Sequence, residues 1–159
     1  MASPLDAAQF RELCGRFATG VVVVTASPAS GAPAGMTANS FASVSLEPPL
    51  VSVNVDRGSE FHAVIERAAS FAINVLSQDQ EWISRRFAAS ASNRFDGVGY
   101  RRSERGSIVL AGVVAVIECE TLERIPVGDH TIVIGRVVGG DTHDLAPLLY
   151  YRGGYRTLG

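Results

Sequence analysis

The sequence predicts a mainly β fold: a mostly antiparallel barrel of about six strands with short helices at its periphery. Three observations carry this reading. Short runs rich in β-branched residues recur along the chain, several with apolar and polar residues in alternation. The helical patterns between them do not alternate regularly with strands, as a doubly wound parallel sheet requires. No GxGxxG stands between a strand and a helix, which removes the dinucleotide signature of that class. At 159 residues the chain reads as one domain, residues 1–159, large enough to bury a substantial core.

The elements follow in order. Residues 3–20, SPLDAAQFRELCGRFATG, open with a helix. Ser3 is its candidate N-cap, Pro4 suits the first helical position, and Leu5, Ala8, Phe10 and Leu13 approximate an apolar stripe. VVVVTA (21–26) is a strand and SPASGAPAG (27–35) a hairpin loop. GMTANSFASVSLEPPLV (35–51) returns as the partner strand and stops at Pro48-Pro49. LVSVNVD (50–56) alternates again, SEFHAVIERAA (59–69) is a short helix and SFAINVL (70–76) a strand. SQDQEWISRRFAAS (77–90) is a helix whose acidic first turn and basic later turns match its dipole. After an arginine-rich loop, residues 111–127 and 129–142 form a long hairpin around Gly128-Asp129, and the chain closes with APLLYYRGGYRTLG.

Composition excludes several classes of function. Net charge is −2, and the densest basic run, YRRSERG (100–106), reads as a solvated loop, so no nucleic-acid footprint is implied. All fourteen basic residues are arginine. Schiff-base and phosphate-loop lysines are therefore excluded, and any cationic work falls to the guanidinium fork. Cys14 and Cys119 read as small buried hydrophobes, and the three scattered histidines give no metal-ligand spacing. No signal-peptide pattern and no apolar run long enough to span a bilayer is visible, which points to the reducing cytoplasm. Glu118 and Glu120 share a parity opposite to apolar neighbours and read as a solvated face. Trp82 reads as a core or dimer-interface anchor. With 47% apolar residues, the composition fits a homo-oligomer and a well-filled monomer core equally.

One strand face stands out. In GMTANSFASVSLEPPLV one parity carries Thr37, Asn39, Phe41, Ser43 and Ser45, and the other Met36, Ala38, Ser40, Ala42, Val44 and Leu46. The first face holds no charge, only hydroxyls, an amide and a ring, which suits a planar heteroaromatic ligand. Nearby, DRGS (56–59) ends the next strand and opens a helix with Ser59 at its cap and Arg57 beside it, a pattern suited to a phosphate. Together they suggest a mononucleotide cofactor. Two ordinary strands with wet hydroxyls and a routine helix cap fit the same residues. With no GxSxG elbow and no cysteine in an electropositive setting, a reaction carried by a bound cofactor is favoured over hydrolysis.

RFATGVVVVTA, GMTANSFASVSLEPPLVSVNV, SFAINVLS, RRFA, GDHTIVIGRV and PLLYYRGGYRTL occur in this order, and together they resemble the short-chain flavin reductases, the reductase components of two-component flavin monooxygenases. The resemblance runs from about Phe10 to the last residue. It implies a split, Greek-key-like β-barrel homodimer that passes hydride from NADH or NADPH to FMN or FAD and supplies reduced flavin to a separate monooxygenase. Carried over by position, Thr37, Asn39, Ser40, Phe41, Ser43 and Ser45 would contact the isoalloxazine and ribityl chain. Asp56, Arg57, Ser59 and Arg94 would lie about the phosphate. His130, with Tyr151, Arg152 and Gly153, would lie near the nicotinamide nucleotide, His130 either orienting it or matching charge as the flavin becomes anionic. Asp56 departs from the uncharged residue common at its position. NADH is favoured, because no arginine pair is evidently placed for a 2′-phosphate. The rival reading is a non-catalytic flavin or haem binder on the same barrel, which would have no use for the GDH and YYRGG segments.

Overall fold

The computed structural model describes residues 1–28 and 31–159. Helix α1 (Ala7–Cys14) begins after Asp6, not after Ser3. Asp6 Oδ1 accepts from the Gln9 amide at 2.8 Å, and the Asp6 amide donates to Gln9 Oε1 at 3.1 Å. This reciprocal capping box satisfies two otherwise orphaned donors; Ser3 has no Glu or Gln three residues on, and Asp6, which stands there, is itself the cap. None of the residues of α1 is buried, and Phe10 and Leu13 of its apolar stripe are exposed. Cys14 is exposed as well, contrary to expectation, while Cys119 is buried.

Strand β1 (Thr19–Gly20) leads into β2 (Val22–Ala26), in which every residue is buried. Val22 and Val24 face one core and Val21 and Val23 another, which is why this run is apolar at both parities. β3 (Ala34–Ala38) pairs antiparallel with β2, Val22 opposite Ala38. The hairpin loop expected over 27–35 lies partly outside the described residues.

The polar stretch predicted as one strand is two. β4 (Ala42–Ser45) pairs with β5 (Leu50–Asp56), not with β2. Residues 39–41 carry the chain from one edge of the sheet to the other. Past this crossing the alternation no longer marks a core face: Val44 and Leu46 are exposed, while Phe41, on the polar parity, packs against the core.

Helix α2 (Glu60–Ile65) is capped by Ser59 as predicted. Strand β6 (Ser70–Val75), a 3-10 turn at Gln78–Gln80 and helix α3 (Glu81–Ala88) follow. β7 (Tyr100–Arg102) and β8 (Ile108–Leu110) pair with each other. β9 (Ala115–Val127) and β10 (His130–Thr142) form the long hairpin, its turn at Gly128 with φ 59°. β11 (Leu149–Tyr151) and β12 (Gly154–Arg156) close the chain.

The main sheet has seven antiparallel strands in the order β3-β2-β6-β9-β10-β5-β4, against the six or so predicted, and β11 joins β1 and β12 in a small second sheet. β3 and β4 are the two edges of this sheet, joined in sequence by residues 39–41 and not paired with each other. Inside the barrel pack Val24, Val53, Val133, Phe61 and Phe71. A second core, with Val23, Phe87, Leu110 and Leu148, lies beneath α3.

Two side chains correct the sequence reading. Glu118 is not on a solvated face: it is buried, accepting from Ser103 Oγ and from Arg105 Nη1 at 3.4 Å. A turn fifteen residues back in the chain folds over it, a contact that strand parity does not encode. Burial disfavours its charge, but the hydroxyls of Ser103 and Ser107 and the Arg105 charge outweigh that and hold its carboxyl below the usual range. Glu120 is exposed and paired with Arg136, as a solvated face requires. Trp82 is half-exposed and so is no core residue. No helix among the described residues is long and apolar enough to cross a membrane, which leaves open what strands could do.

Candidate functional site

The crossing at 39–41 creates the site. Two residues beyond the Ala42–Ser52 pair, residue 40 would face Asn54. There the Ser40 hydroxyl accepts from the Asn54 amide at 3.0 Å and donates to its carbonyl at 3.3 Å. A side chain thus replaces backbone pairing, and the main chain is free to turn toward β3. Between the end of β3, the end of β5, the β9–β10 turn and α1 lies a cavity of about 640 Å³. Thr37, Asn39 and Ser40 line it with Asp56 and His130, so five of the expected site residues meet there. The antiparallel register sets His130 opposite Asp56.

His130 Nδ1 lies 2.7 Å from Asp129 Oδ1, which fixes the ring, and the hydrogen bond and charge of His130 hold the Asp129 carboxyl below its usual range. The imidazole remains 44% exposed, open to a ligand. Asp56 Oδ1 accepts from the Gly58 amide at 2.8 Å. Arg57 staples the β9–β10 turn: its amide donates to Asp129 O at 3.0 Å and its Nη1 to Gly128 O at 3.2 Å. Ser59 Oγ donates to Asp56 O at 2.7 Å and accepts from the His62 amide at 3.2 Å. The Ser59 hydroxyl and the Arg57, Gly58 and Ser59 amides are thus committed to protein acceptors, the Arg57 guanidinium spends its Nη1 on the turn, and α2 is only six residues long.

The remaining expected residues lie elsewhere in this chain. Ser43 and Ser45 sit on edge strand β4, paired with Val51 and Leu50 across a bulge. Arg94 donates from Nε to Ala89 O at 2.8 Å and from Nη1 to Gly35 O at 3.1 Å, beside a separate cavity of about 190 Å³. Tyr151, Arg152 and Gly153 form the β11–β12 hairpin, in which consecutive positive φ values at Arg152 (52°) and Gly153 (74°) make the tight turn. The Arg152 amide donates to Gly15 O at 2.9 Å, docking the turn on the end of α1. Arg152 and Gly153 line a cleft of about 340 Å³ with Arg11 and Arg16.

Sequence reasoning missed α1 as a wall of the site. Ala7, Phe10 and Arg11 line the large cavity, and Arg11 borders the Arg152 cleft as well. The available signal was an apolar stripe ending in cations. Asn54, the anchor of Ser40, was invisible because its role is made by backbone atoms.

Residues 14–159 match the family model described as flavin reductase like domain. The chain belongs to the flavin reductase-like family. It is 45% identical over 155 residues to a Pseudomonas putida protein named flavin reductase, covering 96% of this chain and 91% of that one. It is 40% identical over 149 residues to the Acinetobacter baylyi reductase component of a flavin-dependent trigonelline monooxygenase, covering 94% of this chain. Of that relative it spans about half the length, 48%, as it spans 50% of a Rhizobium meliloti one. Among solved structures it is similar to the Streptomyces globisporus NADH:FAD oxidoreductase SgcE6 in complex with NAD and FAD fragments. The TM-score is 0.93 and the identity 37%, over 100% of this chain and 96% of that one. The split barrel predicted from the sequence is thus the fold of its family.

Proposed function

We propose that residues 1–159 act as one unit, an NAD(P)H:flavin oxidoreductase that passes hydride from NADH, in preference to NADPH, to FMN or FAD. It works in the cytoplasm as a homodimer and hands reduced flavin to a separate monooxygenase. The observation that carries this is the single cavity that sets the uncharged wall of Thr37, Asn39 and Ser40 across from His130, in a chain of this family. Its volume of about 640 Å³ lies within the range of small-molecule sites, roughly 300–1,000 Å³. Neutral hydroxyl and amide groups suit a ring system whose charge changes on reduction, since no fixed charge on that wall biases either state.

Bound flavin supplies the hydride-accepting ring that no side chain here provides. The protein's own part is binding and orientation. Thr37, Asn39, Ser40, Phe41, Ser43 and Ser45 are assigned to the flavin, those outside this chain's cavity reaching it across the dimer. Asp56, Arg57, Ser59 and Arg94 are assigned to its phosphate, with Arg11 as a further cation at the cavity wall. His130, fixed by Asp129, orients the nicotinamide, and Tyr151, Arg152 and Gly153 hold the rest of that nucleotide. The relative named as a monooxygenase reductase component supports the partner assignment.

The test is NADH oxidation by purified protein in air, with and without FMN or FAD. Saturable, flavin-dependent consumption supports the reading and names the preferred flavin. Flavin binding with NADH and NADPH both untouched would leave a carrier in place of an enzyme.

A further inference from the structure

The wall of the cavity has a polarity that its residue types do not announce. Thr37 Oγ1 donates to the Ser84 carbonyl at 2.6 Å, so its one proton is spent. Ser40 spends its proton on the Asn54 carbonyl. Of residues 37–40, only the Asn39 amide is left as a side-chain donor without a protein partner among the described residues.

The Thr37 bond is built by matched spacings. Gly35 and Thr37 share one face of β3, and Ser84 and Phe87 share one face of α3. At Gly35 the missing side chain admits the Phe87 ring, which brings the Ser84 carbonyl within reach of Thr37. Ser84 is itself held: its Oγ lies 2.7 Å from the Tyr155 hydroxyl, on strand β12. Tyr155 is packed edge-on against Tyr150 at 5.3 Å, with the Arg85 guanidinium 4.9 Å from its ring centroid. Thr37, Ser84, Tyr150 and Tyr155 all line a second cavity of about 210 Å³ that shares Thr37 and Asn39 with the first.

We propose that Ser84 and Tyr155 are positioning residues that hold the Thr37 hydroxyl with its proton turned into the protein, so that at Thr37 the cavity accepts a hydrogen bond from its ligand and gives none. The inference rests on the flavin reading above and deepens it. The ligand must present an N–H or O–H there, and oxidised flavin carries two sources, its single ring N–H and the hydroxyls of its ribityl chain. Tyr155 acts only through Ser84 and Thr37, and touches no ligand in this role.

The experiment measures dissociation constants by quenching of flavin fluorescence, using FMN, FMN methylated on its ring N–H, and lumiflavin, which lacks the ribityl chain. Thr37→Val, isosteric without the hydroxyl, should weaken FMN about fivefold, the scale of one lost hydrogen bond. Thr37→Ser should restore most of the affinity. Tyr155→Phe should weaken FMN about two- to threefold, and the Thr37→Val/Tyr155→Phe double variant should bind no more weakly than Thr37→Val alone. If the ring N–H is the donor, the Thr37→Val effect vanishes with the methylated FMN and persists with lumiflavin; if a ribityl hydroxyl is, the reverse holds. Additive effects of the two substitutions would make Tyr155 ordinary scaffold and overturn the proposal. So would a Thr37→Val effect that persists with both analogues, or none with FMN. Failure of the parent protein to bind FMN at all would instead sink the flavin reading, and this inference with it.

Discussion

Gly35→Ala tests how closely α3 must sit on β3. An added methyl would lie 2.8 and 2.9 Å from Phe87 Cε1 and Cδ1 and 3.4 Å from Val23 Cγ1. Phe87 is 1% exposed and its ring meets Phe95 edge-on at 4.9 Å, so it has nowhere to retreat. Overpacking of this kind costs about 1–3 kcal/mol. The smaller unfolded-state gain from replacing glycine, about 0.4–1 kcal/mol, does not offset it. At ~2–4 °C per kcal/mol for a chain of this size, a net loss of ~1.5 kcal/mol lowers Tm by roughly 3–6 °C in thermal unfolding followed by circular dichroism. Because the same helix carries the acceptor of Thr37, flavin affinity should fall together with stability. Phe87→Leu in the Gly35→Ala background should recover part of both, making the double variant better than the sum of the singles. A Tm within about 1 °C of the parent, with unchanged flavin affinity, would refute the close-contact argument.

Other perturbations isolate single groups. His130→Ala should raise the KM for NADH and leave flavin affinity nearly unchanged; identical steady-state kinetics in variant and parent would end that assignment. Glu118 has a folded-state pKa below its ordinary value of 4.5, so its ionised form stabilises the fold above that value, and the contribution is lost as pH falls through the folded pKa. Glu118→Gln should therefore cost about 1–3 kcal/mol at pH 7 in urea unfolding, with the gap closing in acid; a gap that widens on acidification contradicts the sign. Burial pushes the Cys119 thiol up to about 12, and Cys14 is exposed, so a disulfide reagent at pH 8 should label Cys14 alone until the protein is unfolded. Rapid labelling of both thiols in the native protein would mean that the β9 core opens far more readily than its burial implies.

Much of this architecture was legible in residue order because local physics sets it. β5 alternates along its length, β2 is a β-branched run buried on both faces, and Gly128 supplies the positive φ of the long hairpin. The Ser59 cap was legible for the same reason. What escaped depends on groups far apart in the chain. Glu118 is buried by a turn fifteen residues away, and α1 becomes a wall of the cavity only once β3 and β5 are in place. The start of α1 was misjudged because two hydroxyl or carboxylate caps competed, and only Asp6 had a glutamine three residues on. In the site, the polar wall was readable from composition, but its polarity was not, since the Thr37 and Ser40 protons go to carbonyls on other elements.

The corner at Ser40 has an evolutionary consequence. A single hydroxyl answers both backbone groups of Asn54, so the path of the chain there does not depend on the side chain at 39. Asn39, which lines the cavity, is thereby released from any duty in sheet pairing, whereas Phe41 stays tied to the core. Substitutions at 39 can alter what the cavity prefers while the turn that builds it persists. Selection, or a mutagenesis library, can therefore sample ligand preference at 39 with little structural penalty, provided residue 40 keeps its hydroxyl.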